Sequence, residues 1–327
     1  MTGIHNYIRY NSGSREHLYR LLKWCDKCSL YRNIYKSRIK SKTSGLTNFP
    51  SELSIETTSL CNARCTICAH PDMKRAKGNM KTELVKSLIK QAGQGEVNKL
   101  FLSGFGEPLI DKRLPEFVEY AKKQNIDNIS IVTNGYLLTP QIAGSLVDSG
   151  LNEIIISMDG FTPETYNKIR VGLDFEKLAE NISGLPSIKK RSKIQITISC
   201  VSLTHNQKER QEAFSRFGRY VDGIYFRQAQ GWTGKYGESD AGYTPHFEPN
   251  SIPCRYLWDS ASVYIDGSVP TCCLDFEAEG VMGNAMQDSL EDIWRGERFK
   301  NYRTAHLQNR KSELVPCGKC GYYSVWW

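Results

Sequence analysis

No stretch of this 327-residue sequence approaches the roughly 18 consecutive apolar residues of a membrane span, so a spanning helix is not expected. The opening residues, MTGIHNYIRYNSGSREH, lack the apolar core of a secretory signal, and a cytoplasmic protein is expected. Internal repeats and low-complexity segments are missing. No nucleic-acid recognition motif is present either, so nucleic acid is not an expected partner. Beyond residue 50 the chain also lacks net charge: its last 277 residues hold 33 Lys/Arg and 33 Asp/Glu. Residues 1–50 hold ten Lys/Arg against two Asp/Glu, so the whole excess of +8 sits in an N-terminal extension. A basic stretch this concentrated points to an anionic partner.

What the chain has in quantity is cysteine, eleven residues in an otherwise ordinary composition. In a reducing compartment such a number is unlike a disulfide framework, and metal binding is the first reading.

Residues 1–50 read as a helical extension, with Leu18, Leu21, Leu22, Leu30, Tyr31, Ile34 and Tyr35 at helical spacing and a linker, SKTSGLTNFP, at 41–50. Short apolar, β-branched runs follow at 53–56, 99–103, 129–133, 153–158, 194–201 and 223–226. Helical patterns lie between them at 82–93, 114–123, 139–149, 174–183 and 207–219. Strand–helix units in series predict an α/β fold with a parallel sheet, a partial (β/α)6 TIM-like barrel over residues 51–235. Chemistry in such folds belongs at the C-terminal strand ends. Residues 236–327 read as a small Cys-rich domain, with a hairpin over 262–273 centred on Asp266-Gly267 and a short helix around 289–294.

Cys61, Cys65 and Cys68 form a C-x3-C-x2-C triplet just after the first strand. Three thiolates on one tight loop can each take one iron of a [4Fe–4S] cube, which leaves the fourth iron open. An open position makes a metal site catalytic rather than structural. A structural zinc site would need a fourth ligand, which His70 could supply, but the x3-x2 spacing is unusual for a zinc knuckle.

The triplet resembles the signature of the radical S-adenosylmethionine superfamily. The resemblance runs over residues 50–230 and implies cleavage of S-adenosylmethionine at the open iron to a 5′-deoxyadenosyl radical. It also implies cofactor contacts. Gly104-Phe105-Gly106-Glu107-Pro108 resembles the family's GGEP motif, whose backbone meets the methionine amino group. Thr133-Asn134 ends the third strand, and Ser157 with Asp159 ends the fourth, where ribose and carboxylate contacts are usual. Arg170 is the expected carboxylate partner, because guanidinium binds carboxylate bidentately. Asn206 stands where related enzymes contact the nucleoside. Ile67 precedes the third cysteine, where the family often has an aromatic residue, so adenine would pack without stacking.

Cys254, Cys272, Cys273, Cys317 and Cys320 lie beyond the barrel in the frames PCRYLW, DGSVPTCC and CGKC. They resemble a SPASM cluster domain in its shortened, twitch form. Five cysteines imply one auxiliary [4Fe–4S] cluster, on Cys254, Cys272, Cys317 and Cys320, with Cys273 an alternative to Cys272. The same thiolates could make a zinc ribbon. Cys25 and Cys28 read as packing residues. Cys200 reads as a core residue, and it and Cys273 are the candidate hydrogen donors if the reaction is an epimerisation. Trp326 and Trp327 are expected to pack.

The reading is therefore a radical dehydrogenase or epimerase. Its expected substrate is a sugar, aminocyclitol or nucleoside-linked sugar, with phosphorylated and lipid-linked forms included. A flavodoxin- or ferredoxin-type electron donor is expected. Residues 1–50 offer a surface for peripheral membrane contact. Two alternatives stand beside it: a peptide-modifying maturase and a zinc-stabilised binding module without catalysis.

Overall fold

The computed structural model of the chain describes residues 33, 34, 37, 48–204, 206–228, 231–232 and 253–320. Most of the basic extension, the Cys25–Cys28 pair and Trp326-Trp327 fall outside the described residues.

Six strands follow the expected runs: β1 (Glu52–Ile55), β2 (Lys99–Phe101), β3 (Ile129–Thr133), β4 (Glu153–Ser157), β5 (Gln195–Ser202) and β6 (Gly223–Gln228). Between them lie α1 (Thr82–Gln94), α2 (Leu114–Lys123), α3 (Pro140–Asp148), α4 (Pro163–Ile169), α5 (Phe175–Gly184), α6 (Pro186–Lys190) and α7 (Arg210–Phe217). The side chains of Thr139, Thr162 and Asp174 cap α3, α4 and α5, each accepting the N–H of the residue three ahead. Proline opens α3 and α4, where its missing N–H costs nothing.

All six strands pair in parallel and in sequence order. One strand face is apolar and fully buried: Leu53, Ile55, Leu100, Ile129, Ile131, Ile154, Ile156, Ile196 and Ile198 pack in one core with Val85, Leu88, Phe117, Val118, Leu178 and Ile182 of the helices. Each such side chain contributes about 1.5–3 kcal/mol by burial. Alternation puts Ser54, Ser130, Glu153, Thr197 and Ser199 on the opposite face, which lines the lumen. Low in that lumen the Lys99 ammonium and the Ser130 hydroxyl both donate to Glu153, at 2.6 and 2.9 Å. The cysteine loop and the glycine motif follow β1 and β2 at the C-terminal edge of this sheet.

The hairpin expected over 262–273 takes another form. After α8 (Tyr256–Asp259), β7 (Ser260–Val263) pairs in parallel with β1 as the seventh strand of the sheet. A tight turn does follow, with Gly267 at φ +80° and its N–H donating to the Tyr264 carbonyl at 2.8 Å. Its outgoing strand β8 (Ser268–Pro270), however, pairs antiparallel with β9 (Val281–Asn284). The exposed ladder of β1 needs a partner, and β7 supplies it. Two helices, α9 (Leu290–Arg295) and α10 (Glu297–Leu307), close the described C-terminal segment.

Candidate active site

The cysteine loop leaves the top of β1 and is held by backbone bonds from two sides. Arg64 and Thr66 donate N–H groups to the carbonyls of Val171 and Ile169, at 2.8 and 2.9 Å, just beyond and at the end of α4. Glu107 donates its N–H to the Leu60 carbonyl at 2.8 Å. This last approach requires glycine beside it: a Cβ on Gly106 would lie 2.3 Å from the Thr58 carbonyl oxygen and 2.7 Å from that of Leu60. Burial pushes the thiols of Cys61 and Cys68 up to about 11 and about 12. Ionising them therefore needs a strong local cation, such as iron. Two groups already favour thiolate here. The His70 N–H donates to Cys68 Sγ at 3.4 Å, and Arg170 Nη1 to Cys65 Sγ at 3.7 Å. His70 Nε2 is held on the Ser59 carbonyl at 2.7 Å.

The other expected contacts gather at the same strand ends, but several are spent within the protein. Glu107 is buried and its carboxylate accepts from the Thr133 hydroxyl (2.6 Å), the Asn134 N–H (2.7 Å) and the Leu109 N–H (3.1 Å). Burial leads in raising its pKa, against these donors. Asn134 Nδ2 then donates to Asn62 Oδ1 at 2.8 Å, which ties β3 to the cysteine loop. Asp159 is fully buried; one oxygen accepts the Val201 N–H at 2.7 Å and the other pairs with Arg170. Burial alone would lower the Arg170 pKa, but the Asp159 and Cys65 charges raise it, so the guanidinium stays charged beside the cluster loop. Asn206 is also fully buried. Its amide donates to the carbonyls of Asp159 (2.8 Å) and Val201 (2.7 Å) and accepts the Leu203 N–H at 2.8 Å. Asn206 and Asp159 thus clamp the ends of β4 and β5 together. The Gly104–Gly106 backbone, Pro108 and Ser157 stay beside the lumen mouth. Ile67 packs with Ile169, Val201 and Leu203 into a small apolar floor.

Cys200 shares its strand face with Ile196 and Ile198, is fully buried in the helix-side core and donates its S–H to the Val201 carbonyl at 3.4 Å. Strand alternation turns Ser199 and Val201, not Cys200, to the lumen. This removes Cys200 as a hydrogen donor to substrate.

Several residues at the mouth are marked by no sequence motif. Glu56 continues β1 as a buried carboxylate, and Arg75 binds it bidentately, both bonds 2.9 Å. Arg75 Nε also donates to the Phe276 carbonyl at 2.6 Å, and its guanidinium lies 3.8 Å from the Tyr264 ring centroid. Phe105 N–H donates to Glu56 at 3.0 Å and Ile265 N–H at 3.3 Å. One ion pair therefore joins β1, the glycine motif, the segment after the cysteine loop and the C-terminal region. Trp232 donates Nε1–H to the Ile67 carbonyl at 2.9 Å and packs 5.5 Å from Phe105, forming an aromatic wall. A charged residue ending an apolar strand was the available hint for Glu56.

Cys254, Cys272, Cys317 and Cys320 line one small cavity with Leu257, Leu274, His306 and Lys311. Cys273 is exposed and outside that lining. Burial pushes the Cys254 thiol up to about 12 and raises those of Cys272 and Cys317 as well. Four converging thiols, three of them hard to ionise unaided, fit a fully thiolate-ligated cluster.

A family model for the radical SAM superfamily matches residues 55–217, and one for the SPASM iron–sulfur cluster-binding domain matches residues 254–321. The chain belongs to the radical S-adenosylmethionine superfamily and carries a C-terminal SPASM domain. Its cofactors are S-adenosylmethionine and [4Fe–4S] clusters, an auxiliary one included. A protein of Methanococcus maripaludis (strain C5) named "Probable GTP 3',8-cyclase" is 36% identical over 126 residues, which are 38% of this chain and 42% of that protein. A "GTP 3',8-cyclase" of Alkaliphilus oremlandii is 35% identical over 136 residues, 40% of this chain and 42% of that protein. The chain thus matches about two-fifths of the length of these curated relatives. Among solved structures, BtrN in complex with AdoMet and 2-DOIA is similar at a TM-score of 0.63 and 21% identity, covering 84% of this chain and 94% of that one. Streptococcus suis SuiB bound to precursor peptide SuiA is similar at a TM-score of 0.65 and 16% identity, covering 89% of this chain and 74% of that one. These structures share the fold. Among the described residues no helix is long and apolar enough to cross a membrane.

Proposed function

We propose that the protein oxidises a secondary alcohol of a small polar substrate: a sugar, an aminocyclitol or a nucleoside-linked sugar. Cys61, Cys65 and Cys68 hold the first cluster in this reading, and Cys254, Cys272, Cys317 and Cys320 the auxiliary one. The observation that carries it is the second cavity. Four thiols there leave no iron open to substrate, and such a site suits electron transfer. When bound, the first cluster and S-adenosylmethionine supply a 5′-deoxyadenosyl radical able to take a hydrogen atom from a carbon bearing a hydroxyl.

The chain's own residues do the remaining work. Asn62, Asn134, Thr133 and Glu107 fix the cysteine loop over the lumen. The Ile67–Ile169–Val201–Leu203 floor and the Phe105–Trp232 wall keep water from the reacting carbon. Arg227 pairs in register with Val201 on the lumen face of β6 and is exposed. It offers a guanidinium to a phosphorylated or nucleotide-linked substituent. With Cys200 turned to the core, hydrogen return has no thiol on the lumen face of β5, which favours oxidation over epimerisation. The cyclase relatives favour a second reading, an isomerising reaction on a nucleotide.

The test is anaerobic turnover of the reduced holoenzyme with S-adenosylmethionine and a panel of carbon-deuterated sugars, aminocyclitols, nucleotide sugars, GTP and short peptides. Deuterium in 5′-deoxyadenosine identifies the substrate. A product two hydrogens lighter supports oxidation. A product of unchanged mass replaces it with isomerisation, and turnover of a peptide alone with maturation.

A further inference from the structure

Among the described residues lining the auxiliary cavity, one buried side-chain nitrogen has no partner. His306, near the C-terminal end of α10, is 2% exposed and lines the cavity with the four thiols. Its Nδ1 accepts the N–H of Cys254 at 3.2 Å. A ring nitrogen that accepts carries no proton, so in the neutral ring the proton is on Nε2. That N–H is buried and unpartnered. An orphaned donor in such a place costs about 1–3 kcal/mol unless something accepts from it. The ring is also held from outside. Trp258 packs edge-on against it, and Arg303, one turn earlier, donates to the Leu257 carbonyl at 2.7 Å and to the Trp294 carbonyl at 2.9 Å. These contacts nail α10 to the segment that carries Cys254, so the ring keeps its aim.

We propose that His306 is a positioning and tuning residue of the auxiliary cluster, its Nε2–H donating a hydrogen bond to a cluster sulfur or a ligating thiolate. Among the described residues Nε2 meets no acceptor, and a thiolate-ligated cluster in the cavity would present sulfur to it. Such a bond is stronger to the reduced cluster, which carries one more electron, so it raises the reduction potential. It therefore makes the cluster a readier acceptor. Lys311, also buried on the cavity wall, brings positive charge to the same side. The inference rests on the four-thiol assignment but not on any choice of substrate.

Two measurements test it. In full-length protein with Cys61, Cys65 and Cys68 changed to Ala, the auxiliary cluster is titrated alone by electron paramagnetic resonance. His306→Phe removes the donor and is expected to cut the reduction equilibrium constant about tenfold, a fall of about 59 mV for a one-electron couple. His306→Gln, whose amide reaches the same place with an N–H, is expected to keep most of the potential. In the same three-Ala protein, which lacks the first cluster and with it the His70–Cys68 contact, grown with ring-15N-histidine, pulsed spectroscopy of the reduced auxiliary cluster is expected to show a weak 15N coupling. Iron counted beforehand verifies loading, so failed assembly is separated from failed tuning. An unchanged potential in His306→Phe would overturn the proposal. So would absence of the 15N coupling, which decides the matter even if the variant does not fold, and so would a coupling large enough for direct iron–nitrogen ligation.

Discussion

Glu56→Gln strands the Arg75 guanidinium in a site where it is 6% exposed and its partner 1%. Arg75 keeps the Phe276 carbonyl, the Tyr264 ring and a neutral bond to the Gln oxygen, but loses its counter-charge and one of the two 2.9 Å bonds. Leaving a buried ion without its partner costs about 3–5 kcal/mol, and the remaining contacts put this case near 3. Arg75→Met should cost less, about 2 kcal/mol, because Glu56 keeps the N–H groups of Phe105 and Ile265. In the double variant no charge is stranded, and Met can pack on the rings of Phe105 and Tyr264. Its loss should fall short of the sum of the singles by about 2 kcal/mol. The assay is anaerobic thermal unfolding of the loaded holoenzyme at one scan rate. At about 2 °C per kcal/mol for a chain of this size, Glu56→Gln should lower Tm by about 6 °C. Limited proteolysis should open the C-terminal region first. A fall of less than about 2 °C, or strict additivity in the double variant, would refute the claim that this pair joins the barrel to the cluster domain.

Gly106→Ala would set a Cβ 2.3 Å from the Thr58 carbonyl oxygen and should push the Thr58–Leu60 backbone away. Iron should fall from about eight to about four per chain, with auxiliary-cluster spectra intact; retention of all eight would be the contrary result. Asn206→Ala takes the amide partner from the Asp159 carbonyl and the Leu203 N–H and leaves the Val201 carbonyl with the weak Cys200 S–H, at about 1–3 kcal/mol for each lost partner before water relaxes the loss, so a Tm drop of several degrees is expected. Asn206→Asp, which cannot donate, should not rescue it. Burial first, then the Asp159 charge, raises the Cys200 thiol well above its ordinary value of 9.0. In the folded state it stays protonated while the unfolded thiol ionises near pH 9, so its contribution to stability is present below that pH and is lost as pH rises further. Cys200→Ala should flatten this alkaline loss, and iodoacetamide at pH 9 should label Cys200 only after unfolding. Rapid labelling of the folded protein would contradict its placement.

Local features were the legible ones. The cysteine triplet, the glycine motif and six strands announce themselves within a few residues each, because thiol spacing, φ freedom and β-branched runs are short-range properties. The β7 pairing is set by the vacant edge of β1, some 200 residues earlier, so the turn at Asp266-Gly267 read as a local hairpin. The start of α4 is a local signal, the capping threonine and proline of Thr162-Pro163. In α10 the inner face carries Arg303 and His306 among its buried residues, so no apolar stripe marked the helix. Glu107, Asp159 and Asn206 stand at strand ends, and only their hydrogen-bond partners show the backbone and side chains they hold. The Glu56–Arg75 pair joins residues 19 apart whose shared neighbours lie some 200 residues on, which no spacing rule detects.

The account turns on the four-thiol site serving as the electron acceptor of an oxidation. Cys317→Ala/Cys320→Ala should remove that cluster, with folding checked by circular dichroism and retained iron of about four per chain. With the substrate found by deuterium transfer, this variant should still form deuterated 5′-deoxyadenosine while oxidised product falls at least about tenfold, roughly 1.4 kcal/mol of lost driving or barrier energy. Oxidised product at the wild-type rate, with the auxiliary iron gone, would contradict it.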